Sequence, residues 1–327
     1  MEESSNTGEG PSSDGTTGGA RAASPYQSDL QPVDAPRSAW PTSAGPTDRM
    51  DVLDASVLPW TSSQSGERKL EFAGERRGPL SLTAQELAGD CLRLSVGLPD
   101  VRRHHDRAYR NLARLSCDVS YIKACLSEAG DLHLAIDLPW ETLTPDVLLA
   151  LSNHLAAWGD ITDKDITAKD DLMKTRRPMM RQCAPDAPLQ AEAARDQLRE
   201  LFQQLDLPWR EHRQDLYVTA MEFALFGTPT RTNLTVRILP DCVSFCVPSF
   251  GGHDYLDKHT GTDILAKILK FNHEQAVGKL AVDAEGHLSL WCELPQPYLG
   301  VVDDLTRLSE KVSVSGALFL DVPGSLR

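Results

Sequence analysis

A chain of 327 residues, 41% of them hydrophobic, carries enough apolar matter for one large packed domain or two ordinary ones. Its formal net charge of -14 argues against nucleic acid as the main partner, because phosphate binding needs clustered Lys and Arg. No stretch approaches the roughly 18 uninterrupted apolar residues of a membrane helix, and MEESSNTGEG lacks a basic, apolar leader, so a cytoplasmic setting without a membrane partner is expected.

In chain order, residues 1–48 are dominated by Ser, Thr, Gly and Pro and offer nothing to bury, which predicts a disordered tail. Residues 49–160 form a first predicted domain. A short opening helix lies in MDVLDASVLPW, and after the strand region come a helix over Arg107–Leu115, the hairpin YIKACLSEAGDLHLAIDL and a closing helix over Pro145–Trp158. Thr144 ahead of Pro145 supplies a cap and an N1 proline for that last helix. Residues 161–187, charged and then Pro-containing, read as a linker that extends the helix before it breaks. The second predicted domain, residues 188–327, opens with a helix whose apolar face is Ala194, Leu198, Leu201 and Leu205, ended by Leu207-Pro208. Three strands (217–226, 232–239, 242–250), a helix over Asp263–His273, a hairpin through Glu285-Gly286 and a helix over Val301–Val312 follow.

The two domains repeat one another. Gly130 falls on Gly286, 156 positions on, and at that separation Lys123 meets Lys279, Leu134 meets Leu290 and Pro139 meets Pro295. Upstream, Glu71-Phe72-Ala73 matches Glu222-Phe223-Ala224 at 151 positions, as do Asp90-Cys91 and Asp241-Cys242; Leu58-Pro59-Trp60 answers Leu207-Pro208-Trp209. One five-residue insertion, in FGGHDYLDKHTGTD, accounts for the change of offset. The predicted fold class is therefore α+β, with two tandem α-β-β-β-α-β-β-α domains whose antiparallel sheets pack on helices.

This order, with the stretch LAKILKFNHEQAVGKLAVDAEGHLSLWCELP and its Asn272, Gly278, Lys279 and Gly286, resembles the YbjN family and the class I type III secretion chaperone-like fold. The first copy departs from the pattern with Ser116 and Ile122, while keeping Lys123 and Gly130. The resemblance implies small domains that pair and hold segments of other proteins without covalent chemistry. It leads us to expect a non-enzymatic, chaperone-like or regulatory protein-binding module, a monomer whose two copies form an intramolecular pseudo-dimer. The alternatives are a ligand-sensing regulator using the interdomain cleft and an enzyme with an unrecognised site.

No cofactor or metal is expected. His104, His105 and Asp106, and His253, Asp254, Asp257 and His259, lie in loops that fix no ligand geometry. The seven cysteines show no CxxC spacing and read as reduced, Cys242 and Cys246 sitting too far apart along one strand for a disulfide. Glu71 and Glu222 read as outward strand residues, GTPTRTN (227–233) and GHDYLDKHTGT as turns, and KTRRPMMR (174–181) as a solvated linker. Trp60, Trp140 and Trp209, each after Leu-Pro, read as caps on the cores. The expected protein-binding surface is Leu198, Leu201, Phe202, Leu205 and Trp209, with Phe202 extending the helix stripe into an exposed patch. From the acidic balance, partner segments rich in Lys or Arg are expected.

Overall fold

The structure, a computed structural model, describes residues 51–63, 66–87, 91–99, 101, 106–162, 191–225, 228–240, 242–248, 262–283 and 286–319. The expected tail, the linker beyond Thr162, both histidine-rich loops and the basic cluster at 174–181 lie outside these residues.

The first copy contains α1 (Asp51–Ala55), β1 (Thr61–Ser62), β2 (Arg68–Ala73), β3 (Pro79–Leu87), β4 (Cys91–Gly97), α2 (Asp106–Asp118), β5 (Lys123–Leu126), β6 (Leu132–Pro139), a 3-10 turn (Trp140–Thr142) and α3 (Pro145–Ile161). The second contains α4 (Ala191–Gln204), β7 (Trp209–Arg213), β8 (Leu216–Leu225), β9 (Thr228–Ile238), β10 (Val243–Val247), α5 (Thr262–Glu274), β11 (Lys279–Val282), β12 (Leu288–Leu294) and α6 (Val301–Phe319). The class is α+β: six helices and two six-stranded antiparallel sheets among the described residues. The sheets run β1-β2-β3-β4-β6-β5 and β7-β8-β9-β10-β12-β11, one order used twice.

Four strands, not the expected three, precede the middle helix of each copy. The extra one, β1 or β7, starts at or just after the Leu-Pro-Trp step, where its exposed, non-alternating side chains (Trp209-Arg-Glu-His-Arg213) hide any strand periodicity. GTPTRTN is likewise no turn, since residues 228–233 belong to β9.

The hydrogen-bond ladders test the sequence alignment residue by residue. Leu94 pairs with Ala84 and Ala84 with Arg68; Phe245 pairs with Val236 and Val236 with Tyr217. Cys91-to-Val96 thus matches Cys242-to-Val247 as the sequence indicates, but Arg68 matches Tyr217. Glu71 therefore corresponds to Ala220, not to Glu222, and the Glu-Phe-Ala match is a two-residue slip that preserves the face. Its cause is the longer β8–β9 hairpin, paired out to Leu225 and Thr228, where β2 and β3 stop at Ala73 and Pro79. The Leu-Pro-Trp correspondence stands: Ser62 pairs with Arg68 and Glu211 with Tyr217, which puts Trp60 on Trp209.

Each sheet buries one face under its own helices. Leu92, Leu94 and Val96 of β4 and Leu134, Ile136 and Leu138 of β6 face α3, whose Leu148, Leu151, Leu155 and Trp158 are buried. Thr144 caps α3 by accepting from the Val147 N–H at 3.2 Å, as the sequence predicts. In the second copy Leu198, Leu201 and Phe202 of α4 are buried, Phe202 completely, while Leu205 and Trp209 are half-buried against the same core. Phe202 meets Trp209 with ring centroids 5.7 Å apart, and Trp209 meets Tyr217 at 5.6 Å. The expectation that Phe202 projects as an exposed patch is corrected: the ring is enclosed by an aromatic cluster that closes the end of the sheet. Trp60 and Trp140 also pack half-buried against the core, in the capping position. Replacing Phe202 by Ala should therefore cost about 3–5 kcal/mol of stability, read as a lowered urea midpoint; an unchanged midpoint would contradict its enclosure.

Candidate functional site at the junction of the two copies

Helix α2 of the first copy packs on β11 of the second, α5 of the second packs on β5 of the first, and α2 touches α5. What lies between them is polar. β4, β6 and β5 turn Arg93, Asp137 and Lys123 away from α3 and toward the other copy, and all three are buried.

The Lys123 ammonium donates to the carbonyls of Gln275 (2.6 Å) and Gly278 (3.3 Å) of the opposite copy and pairs with Asp137 of its own. The Lys279 ammonium donates to the carbonyls of Val119 (2.8 Å) and Ile122 (3.1 Å) and pairs with Glu293 at 2.6 Å. Val119 and Ile122 stand where the second copy has Gln275 and Gly278, so the two sets mirror each other. Three N–H bonds meet three acceptors in each set, which satisfies both buried ammonium groups.

The accepting carbonyls belong to the turns after α2 and α5, and these turns hold unusual backbone. Tyr121 (φ 66°) and Val277 (φ 46°) occupy the left-handed region at equivalent positions, which for a β-branched residue is uncommon. Gly278 follows at φ 114°, where a Cβ would stand 2.7 Å from Leu308 Cδ1. Asn272 fixes the turn after α5: its side chain accepts from the Leu280 N–H (2.7 Å) and donates to the Leu280 carbonyl (3.0 Å) and, across the junction, to the Ala124 carbonyl (3.2 Å). Ser116, its counterpart, accepts from the Ala124 N–H at 2.9 Å. Of the four residues on which the sequence resemblance rests, Asn272, Gly278 and Lys279 therefore sit in the joint between the copies. Gly130 and Gly286, at φ 84° and 91°, turn the two hairpins.

The two halves of the joint differ in one respect. Glu293 is long enough to accept from the Tyr121 N–H of the first copy at 2.6 Å. Asp137, one methylene shorter, is gripped by Arg93 through bonds of 2.7 and 2.8 Å. The same guanidinium crosses to the carbonyls of His273 (2.6 Å) and Gln275 (2.9 Å). Burial alone would raise the Asp137 carboxyl, but Lys123 and Arg93 outweigh it and hold it below the usual carboxylate range. Burial pushes the Lys123 ammonium down, with Asp137 opposing. Arg93 ends above its ordinary value, because its bond and charge pairing with Asp137 overcome burial. Beside it His133 of β6 meets His273 of α5, Nε2 to Nδ1 at 3.3 Å, with ring planes at 84°.

The bonds of this arrangement hold the two copies together. The cleft lined by Tyr121, Lys123, Asp137, Trp291 and Glu293 offers about 20 Å³ to the centre of a water-sized sphere, room for one water. Burial pushes the Cys91 and Cys246 thiols up to about 12 and those of Cys117 and Cys125 up to about 11, far from thiolate nucleophiles. None of the six described cysteines forms a disulfide, and the described residues include no cluster of three or more His, Cys, Asp or Glu able to hold a metal. Glu71 and Glu222 are exposed on different strands of different sheets, Glu222 near Arg231 at 3.9 Å.

Sequence reasoning singled out Lys123, Asn272, Gly278 and Lys279 but missed Arg93, Asp137, His133, His273 and Glu293. The acid pair was within reach, since Asp137 and Glu293 coincide at the same 156-residue separation as the lysines. Compared with models of known families, with curated proteins and with solved structures, the chain matches none.

The asymmetry predicts an order of costs. Lys279→Met strands Glu293 in the joint and should cost about 3–5 kcal/mol. Lys123→Met should cost less, because Arg93 still neutralises Asp137, and Lys279→Met/Glu293→Leu should recover much of the loss. Urea unfolding of the three variants checks this; equal cost for the two lysines would remove Arg93 from the account.

Proposed function

We propose that the chain is a non-enzymatic protein-binding module, chaperone-like or regulatory, in which two YbjN-like copies form one intramolecular pseudo-dimer. The reading is supported by the destination of the buried charge: both lysines and both acids are spent on joining the copies. The outward sheet faces remain for a partner.

The second sheet has the better of these faces. A lane across it runs Arg210, Val218, Thr235, Cys246, Trp291 and ends at buried Lys279. In the first copy the same lane reads Thr61, Lys69, Thr83, Ser95, Ala135, Lys123. Val218 and Trp291 thus replace Lys69 and Ala135, and both are half-buried rather than covered. Among the described residues the one large apolar side chain that stands exposed is Val57, so a broad greasy groove is not what the fold offers. Arg210, Arg231 and Arg237 share the face with Val218. The surface fits an extended segment with one apolar side chain against Val218 and Trp291 and carboxylates toward the arginines. This local field, and not the net acidity of the chain, sets the partner's charge.

The test is binding of purified partner proteins, first recovered with the intact chain, by titration calorimetry. A saturable complex weakened by salt and by Val218→Glu or Arg237→Glu, each about tenfold or more, is expected. Undiminished binding by both variants would remove the lane, and turnover of a small substrate by the chain would remove the non-enzymatic reading. The pseudo-dimer itself predicts that cutting the chain between residues 163 and 190 leaves the halves together on a sizing column at micromolar concentration; folded halves that separate would refute it.

A further inference from the structure

The joint contains one feature that neither a binding surface nor a static clamp requires. His133 lies on β6 of the first copy and His273 on α5 of the second, and their ring nitrogens meet at 3.3 Å. A contact of two imidazoles needs one N–H and one lone pair, so it is complete when both rings are neutral. A second proton would bring two N–H groups face to face. The surroundings oppose even the first. β4 brings Arg93, bonded to the His273 carbonyl, and β5 brings Lys123 together with Cys125, which pairs directly opposite His133 in the sheet. β6 adds the Asp137 carboxylate and α5 that of Glu274, while Asp131, just ahead of β6, bonds to His133 through its backbone. Of these carboxylates Asp137 is already committed to Arg93 and Lys123.

We propose that the His133–His273 contact is an acid-sensitive latch between the two copies: closed while both imidazoles are neutral, and opened by the protons they take up when α5 lifts from the first sheet. Burial, His273 and Arg93 hold His133 down to about 4, and burial, Arg93 and Lys123 lower His273. Free histidine takes its proton near pH 6.5. The sign follows. With both folded values below the free one, the latch contributes fully above about pH 6.5 and is lost as pH falls from there toward 4. Asp137, held below the usual range, stays ionised through that window. Each proton bound only on opening multiplies the opening constant about tenfold per pH unit, so two protons give up to ~100-fold. The second copy has Ser289 and the first has Cys117 at the equivalent places, so the device exists on one side of the joint only.

The inference rests on the docking of the two copies and not on what the module binds, so failure of partner binding would leave it intact. The test uses the full chain. Amide hydrogen exchange of α2, β5, α5 and β11, corrected for intrinsic rates, should show opening at least ~5-fold more frequent at pH 5 than at pH 6, while β2–β3 and β8–β9 stay protected. His133→Gln/His273→Gln should flatten this dependence. The same pH profile in both proteins would overturn the latch. Imidazole titration by NMR in the wild-type chain decides independently of any variant: both rings resisting protonation at pH 6 supports the latch, and two ordinary titrations near 6.5 with exchange protection intact would overturn it.

Discussion

Two buried ammonium groups hold this protein together. Lys123 and Lys279 each point out of their own sheet and find two carbonyls of the opposite copy within reach, with a carboxylate of their own copy behind. An unpaired ammonium in such a place is prohibitively costly, so neither copy can present its lysine without the other. The rest of the fold serves that constraint. The turns after α2 and α5 accept left-handed backbone at Tyr121 and Val277, a local cost tolerated where the surroundings fix it, and the reward is carbonyls aimed at the opposite lysine.

Identical halves would have made a symmetric joint, but the copies have diverged. Where the second uses a long acid, Glu293, to reach the Tyr121 N–H, the first uses a short acid and adds Arg93 to span the gap. That arginine brings a third cation into the interior, and the two histidines lie beside it. The asymmetry gives each half its own consequence: a carbonyl-clamping guanidinium and a titratable contact on one side, and on the other a lane with Val218 and Trp291 left half-open.

The same divergence separates structural from contact residues. Asn272, Gly278 and Lys279 are spent inside the joint, while the amphipathic stripe of α4 is spent in its own core. A helix that buries Leu198, Leu201 and Phe202 against a Trp–Tyr cluster has no apolar face to lend. Under the binding function proposed above, recognition would fall to strand residues such as Val218, Trp291 and Arg237, whose neighbours on that face are mostly polar.

The sequence by itself determined the duplication, the α+β class and most elements, because apolar periodicity, Leu-Pro stops, the Thr144 cap and hairpin glycines are local properties that each segment carries. It also exposed the equivalence of Lys123 and Lys279, since a repeat makes such pairs visible. It could not place β1 and β7, whose side chains are exposed on an edge and leave no alternation, nor the two-residue slip of β2, because a shift of two keeps every side chain on its face and leaves the pattern unchanged. Only the tertiary structure decided that Phe202 is enclosed, that the two lysines are exchanged between copies, and that Arg93, His133 and His273 meet, for these depend on residues 140 to 182 positions apart being brought together by the packing of α5 on β5.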